Sequence, residues 1–234
     1  MKNHRSLSFL SLLAVGASAL LLGACSTLEQ PYDVVAYKPT NPNNVEVKLS
    51  LENQAIYVME GDRPLLVTAA CVGKSTHRTP KGRFRVQVKQ IEKRSGTYGL
   101  WVKGDTVIPG RRDLPPGSGF RYVGHPLPYW VQFKLLYGFH EGAVWPEPRS
   151  HGCVRVHRNV APKLYHLVRI GTPVHVADRH PEDQTLGKDL RRPTDYNEPG
   201  LPLQQLLTSA AFVRPQGPLL VDATSPAAAA PAGR

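Results

Sequence analysis

Ser150-His151-Gly152-Cys153-Val154-Arg155-Val156-His157 is the run on which the reading of this 234-residue chain turns, with His140 a short way upstream. It sets one cysteine among histidines, next to a glycine that lets backbone approach closely and an arginine that can hold a carboxylate. A thiolate nucleophile, a general base, an oxyanion site and a substrate anchor need this inventory. A neighbouring histidine can take the thiol proton and stabilise the anion as imidazolium. His140 is the expected base, because it ends a predicted strand. His151 is the second candidate and is expected to orient the site. Gly152 allows close approach of backbone, and the N–H groups of Gly152 and Cys153 are candidates for the oxyanion hole. Arg155 can clamp a substrate carboxylate through two parallel hydrogen bonds, or serve as a structural ion pair. Ser150 is expected at the substrate side, orienting His140 or His151.

Working outward, the strand pattern dominates from Val45 onward. Val45, Val47, Leu49 and Leu51 alternate with Glu46, Lys48 and Ser50, the signature of a half-buried strand. Gln54–Met59 reads as a second strand, and Glu60-Gly61-Asp62 turns the chain into a third at Leu65–Val72. Phe84, Val86 and Val88 alternate with polar residues, and Trp130–Phe133 and Leu136–His140 are later strands. Between them, Glu92–Tyr129 is rich in Gly, Pro and Arg and is expected to hold short strands and a functional loop. One helix is predicted, capped by Asn159, with Val160, Leu164, Leu167 and Val168 on one face. Gly171 ends it and Thr172–Val176 is a closing strand.

The start of the chain suggests export. Lys2 and Arg5 precede an apolar run from Leu7 to Leu22, too short for a comfortable membrane span and arranged as a secretory signal peptide. The run closes on Leu22-Gly23-Ala24-Cys25, which resembles a bacterial lipobox with Cys25 lipidated. Ser26 after the cysteine then favours an outer-membrane lipoprotein facing the periplasm. The predicted organisation is a signal peptide at 1–24, a flexible tether at 25–44, a domain at 45–178 and an extension at 179–234, polar and then Pro/Ala-rich and partly disordered.

The chain carries 29 Lys and Arg against 18 Asp and Glu; loss of Lys2 and Arg5 with the leader makes it 27 against 18, a balance of +9. Such a surface attracts acidic polymers, anionic lipid or nucleic acid, and export argues against nucleic acid. Of the three cysteines, Cys71 sits in the apolar run Leu65–Val72 and reads as a small core residue rather than a disulfide partner.

Four segments resemble, in order, the catalytic domain of the L,D-transpeptidases of bacterial cell walls, the YkuD-type family. They are Thr79-Pro80-Lys81-Gly82-Arg83-Phe84, Phe139-His140, Ser150–Arg155, and Val160–Val176 with Gly171-Thr172-Pro173-Val174. The resemblance implies a mainly β, β-sandwich-like fold with one C-terminal helix packed on it and the cysteine in a groove. It implies acyl transfer on peptidoglycan stem peptides through a thioester on Cys153, with no metal or organic cofactor. Glu141 and Gly142 stand where the family often has Gly and then Ser or Thr, and the His140–Ser150 segment is short. Hydrolysis by the same site, as an L,D-carboxypeptidase or endopeptidase, is therefore one alternative. A non-catalytic wall-binding lipoprotein is another. A zinc site on His140, His151 and Cys153 is a third, poorly served by the close spacing of His151 and Cys153. Oligomeric state is not legible.

Overall fold

The computed structural model describes residues 31–222. Ten strands form one mixed sheet: β1 (Val45–Ser50), β2 (Ala55–Glu60), β3 (Arg63–Cys71), β4 (Gly82–Arg85), β5 (Val88–Lys103), β6 (Thr106–Arg111), β7 (Arg121–Lys134), β8 (Tyr137–Glu141), β9 (Val154–Val156) and β10 (Pro173–Ala177). The order across the sheet is β4-β10-β1-β2-β3-β9-β8-β7-β5-β6. Neighbours run antiparallel except for two parallel pairs, β1 with β10 and β8 with β9.

The sheet folds on itself at β3, which pairs with β2 on one side and β9 on the other. One apolar core then takes side chains from both halves: Val47, Leu49, Ile56, Val58 and Leu65 from one, Val131, Phe133, Phe139, Val154 and Val156 from the other. Each such side chain contributes about 1.5–3 kcal/mol by leaving water. Phe84 of β4 meets Phe133 of β7, ring centroids 5.4 Å apart, and closes the sandwich-like fold. The helix α1 (Ala161–Leu167) packs against β7 and β8 and adds Leu164 and Leu167 to the core. The fold is thus the mainly β, sandwich-like one with α1 packed on it, and a second, one-turn helix, α2 (Leu203–Leu206), lies near the end of the described residues.

Several local expectations change. The alternation through Phe84, Val86 and Val88 spans a corner rather than one strand. β4 pairs with β10 and β5 pairs with β7, and the buried Val86 sits at the change of partner, its N–H on Thr172 O at 2.9 Å. Residues 92–129 form no loop of short strands but two long ribbons, β5 of 16 and β7 of 14 residues, with β6 at the edge. Pro126 and Pro128 are tolerated opposite Arg94 and Glu92, where the pairing slips between Arg94 and Gly99. Asn159 does not cap α1; its amide donates to Tyr32 O, and Val160 is the cap residue with no side-chain bond.

The tether expected over 25–44 is not free over 31–44. Tyr32 and Ala36 are buried, Tyr32 OH accepts the Ala69 N–H at 3.2 Å, and Tyr37 bridges Val221. Residues 179–222 likewise form a belt on the domain. Asp183 accepts from Tyr57 OH at 2.7 Å, Leu190 packs on Tyr57, Met59 and Cys71, and Asp195 holds His157 Nε2 at 2.9 Å. Arg94 then donates to Leu206 O and Thr208 O and lies over the Phe212 ring. The predicted leader at 1–24, Cys25 and the tail beyond Asp222 lie outside the described residues. Among the described residues no helix is long and apolar enough to cross a membrane.

Candidate active site

The parallel β8–β9 pair builds the centre. Its register sets Phe139 beside Val154 and His140 beside Arg155. Phe139 and Val154 point into the core, so alternation turns His140 and Arg155 to the opposite face. Cys153, one residue before β9, continues that face, and the Gly138 N–H points at its sulfur. The strand pairing thereby brings together His140, Cys153 and Arg155 from distant points of the sequence.

His140 is 9 % exposed and its Nδ1 lies 2.7 Å from Glu141 O. A carbonyl oxygen only accepts, so Nδ1 carries the proton and Nε2 keeps its lone pair. Burial brings its pKa down to about 4; the Glu141 carbonyl opposes this, and the charges of Arg155 and His125 add to it. The imidazole is therefore neutral at physiological pH. Burial also pushes the Cys153 thiol up, against the Gly138 N–H and the Arg155 charge. The thiol donates to Leu136 O at 3.5 Å, a carbonyl aimed by the left-handed backbone of Leu136 (φ 68°). Burial thus favours the uncharged thiol and imidazole over a thiolate–imidazolium pair.

Ser150 is buried and touches neither histidine. Its hydroxyl donates to Cys153 O and accepts the Gly152 N–H at 2.9 Å, closing the loop before the nucleophile. It is thus no substrate contact, and it takes the Gly152 amide away from the oxyanion role. The Cys153 N–H carries no such bond among the described residues. Gly152 has φ +112°, and a Cβ there would meet Tyr137 Cε1 at 2.7 Å, so only glycine fits. Thr79, from the Thr79–Phe84 motif, donates to Gly152 O at 2.8 Å and accepts the Gly73 N–H at 2.9 Å. That motif is a buttress for the nucleophile loop.

His151 is exposed and stands apart from β8. Its ring lies 4.9 Å from His77 and 4.7 Å from Tyr98 of β5, which reaches over the loop. Burial, then Lys74, His77 and Arg155, lower its pKa. Arg155 is half-buried, runs its stem past Gly142, and makes no ion pair among the described residues. Its guanidinium is available to an anionic ligand, and the structural-ion-pair alternative falls away. Glu141, two places from the strand's Phe139, faces away from His140 toward Tyr129 and Arg158, and burial raises its carboxyl to about 7. Among the described residues no three His, Cys, Asp or Glu side chains converge to hold a metal ion, so the zinc reading finds no ligand set.

The Glu141 carbonyl, the Leu136 carbonyl and the Gly138 amide are not legible in the sequence, because backbone groups have no residue signature. Gly138 itself was a usable signal: a glycine inside a strand marks close approach, and here the Trp130 ring fills the space of its missing side chain.

Comparison with known proteins follows the same lines. The family model described as the L,D-transpeptidase catalytic domain, YkuD, matches residues 44–176, more than half of the chain. Among solved structures, an L,D-transpeptidase from Stackebrandtia nassauensis is 22% identical with a TM-score of 0.45, covering 62% of this chain and 60% of its own. One from Mycobacterium smegmatis is 18% identical with a TM-score of 0.44, covering 57% and 58%. The catalytic domain of the Enterococcus faecium enzyme is 25% identical with a TM-score of 0.41, covering 57% and 96%. The chain thus spans about three fifths of the first two. No curated protein matches it.

Proposed function

The chain belongs to the YkuD family of L,D-transpeptidase catalytic domains, and from that membership we propose that it is a cysteine acyltransferase acting on peptidoglycan stem peptides. The observation that carries the reading is the placing of Cys153 and a tautomerically fixed, neutral His140 on one face of the β8–β9 pair. As Cys153 Sγ attacks the carbonyl between an L-centred diamino-acid carbon and a terminal D-amino acid, His140 Nε2 takes its proton. The Cys153 N–H meets the developing oxyanion, where loss of one donor costs about 3 kcal/mol. The C–N bond breaks, the imidazolium returns the proton to the departing amine, and a thioester remains. An acceptor amine, deprotonated by His140, then opens the thioester and regenerates the thiol. Arg155, cationic and unpaired, anchors a substrate carboxylate beside the reacting pair.

Water in place of the amine gives hydrolysis by the same steps, so trimming or cleavage remains the second reading. The short segment after His140 favours attention to it: Trp145 is pinned between Arg149, 3.8 Å from its ring, and Tyr196 of the belt, 4.8 Å away.

The leader and Cys25 support a lipid anchor in the outer membrane, with the domain facing the periplasm. Incubation with purified tetrapeptide muropeptides, beside Cys153→Ala, tests the whole reading by mass spectrometry. Cross-linked dimers with loss of D-Ala, absent from the variant, are expected. Shortened peptides without new cross-links establish the hydrolase. No Cys153-dependent product at all would sink both.

A further inference from the structure

Trp130 lies on β7, the strand beside β8, and its ring faces the reacting pair from behind. The indole sits 6.2 Å from the His140 ring at a tilt of 33°. It also covers Gly138, where a Cβ would come within 2.9 Å of the indole Cζ2 and Cη2. One side chain therefore lies beside both the His140 imidazole and the residue whose N–H points at the sulfur. Trp130 is 3 % exposed, and its Nε1–H is buried without a hydrogen-bond partner among the described residues. An orphaned buried donor opposes folding. A purely apolar side chain would fill the core without that penalty, so stability alone does not account for an indole here.

We propose that Trp130 is a positioning residue of the reaction: its indole fixes the plane of the His140 ring and seals that ring from water. The inference rests on the reading of His140 as the base. Other groups bear on the same imidazole, and none replaces this seal. Arg155 on β9 and His125 on β7 bring positive charge, Cys153 is neutral at rest, and Glu141 turns its carboxyl to the far face while its carbonyl holds Nδ1. Arg155 adds to the burial effect of the indole as a fixed charge, whereas His125, its own pKa lowered by burial, adds only where it is protonated.

The test is a histidine-selective NMR titration of the full chain, with Trp130→Leu and Trp130→Phe, alongside pH profiles of muropeptide turnover. In the parent protein the His140 resonance is expected to titrate near 4 and to show ring contacts to the indole. Trp130→Leu is expected to raise the midpoint by about one pH unit or more as water reaches the ring. It should also lower kcat at least ~10-fold with KM little changed, since the contact acts on the base and not on the substrate. Trp130→Phe keeps an aromatic seal and should hold the midpoint close to the parent's. An unmoved midpoint in folded Trp130→Leu, or an effect on KM alone, overturns the proposal. Should Trp130→Leu fail to fold, a parent midpoint near the ordinary ~6.5, or the absence of indole–imidazole contacts, overturns it equally. The titration needs no substrate. A protein that titrates as described but fails on muropeptides loses the proposed reaction and Trp130's part in it, and keeps only the seal on the His140 ring.

Discussion

The proposed base and the proposed nucleophile are held by two unlike regions. His140 lies inside a strand, its position set by the β8–β9 ladder and its tautomer by a neighbouring main-chain carbonyl. Cys153 ends a loop, 150–153, held by two hydroxyls and one glycine in a conformation that other residues rarely adopt. A ladder tolerates most side-chain changes around it. The loop depends on three particular side chains, so mutations there should couple loss of activity to loss of stability.

The sharpest break of this comparison removes the reacting groups themselves. Cys153→Ala should abolish turnover, and His140→Ala should lower it at least ~100-fold, the usual worth of a general base. His151→Ala, which changes a ring stacked beneath Tyr98 and not the face of β8, should cost less than ~10-fold. Steady-state turnover of a tetrapeptide donor separates them; equal losses at both histidines would erase the distinction between strand and loop.

Next in size is Gly152→Ala. The clash with Tyr137 at 2.7 Å and the positive φ should cost about 1–3 kcal/mol in urea unfolding, with activity falling in step. Ser150→Ala and Thr79→Val should each cost about 1–3 kcal/mol, because they leave Gly152 N–H or Gly152 O without its buried partner. Loss of activity with unchanged stability in all three would mean that the loop is not held as described.

Much of this was legible beforehand. Alternation marks β1, which is half-buried, whereas β2 and β3 are legible as apolar runs on either side of Glu60-Gly61-Asp62 and are buried on both faces over most of their length. Cys153 and His140 stood out because nucleophile and base require particular residue types. The ribbons β5 and β7 were hidden by Gly and Pro, which mark turns in most strands but here sit at a slipped pairing. The belt was hidden for another reason: Asp183, Asp195 and Arg94 make polar contacts with no period, and a polar tail that docks reads like one that does not. The Ser150 hydroxyl bonds to Cys153 O and Gly152 N–H rather than to a histidine, a direction that residue type alone does not announce.

The smallest expected effect concerns pH. His140 has a native pKa of about 4 against 6.5 in an ordinary setting, so the unfolded chain takes up a proton that the native site refuses. Stability therefore falls as pH drops from 6.5 to 4, by up to about 3 kcal/mol. Glu141 works in the opposite sense: with its native pKa at about 7 against 4.5, the native carboxyl keeps a proton that the unfolded chain has lost, and stability falls as pH rises through that window. The two slopes offset between 4.5 and 6.5. Glu141→Gln should unmask the first, so that its melting temperature climbs across that range while the parent's stays flatter. Parallel profiles for the two proteins would show that one of the buried groups is misassigned.

The most direct measurement is intact-protein mass spectrometry after rapid mixing with a tetrapeptide donor. The account predicts an adduct on Cys153 equal to the donor less its terminal D-amino acid, lost when an acceptor amine is added and absent from Cys153→Ala. Donor consumption with no adduct in the parent, or an adduct that survives in Cys153→Ala, would contradict it.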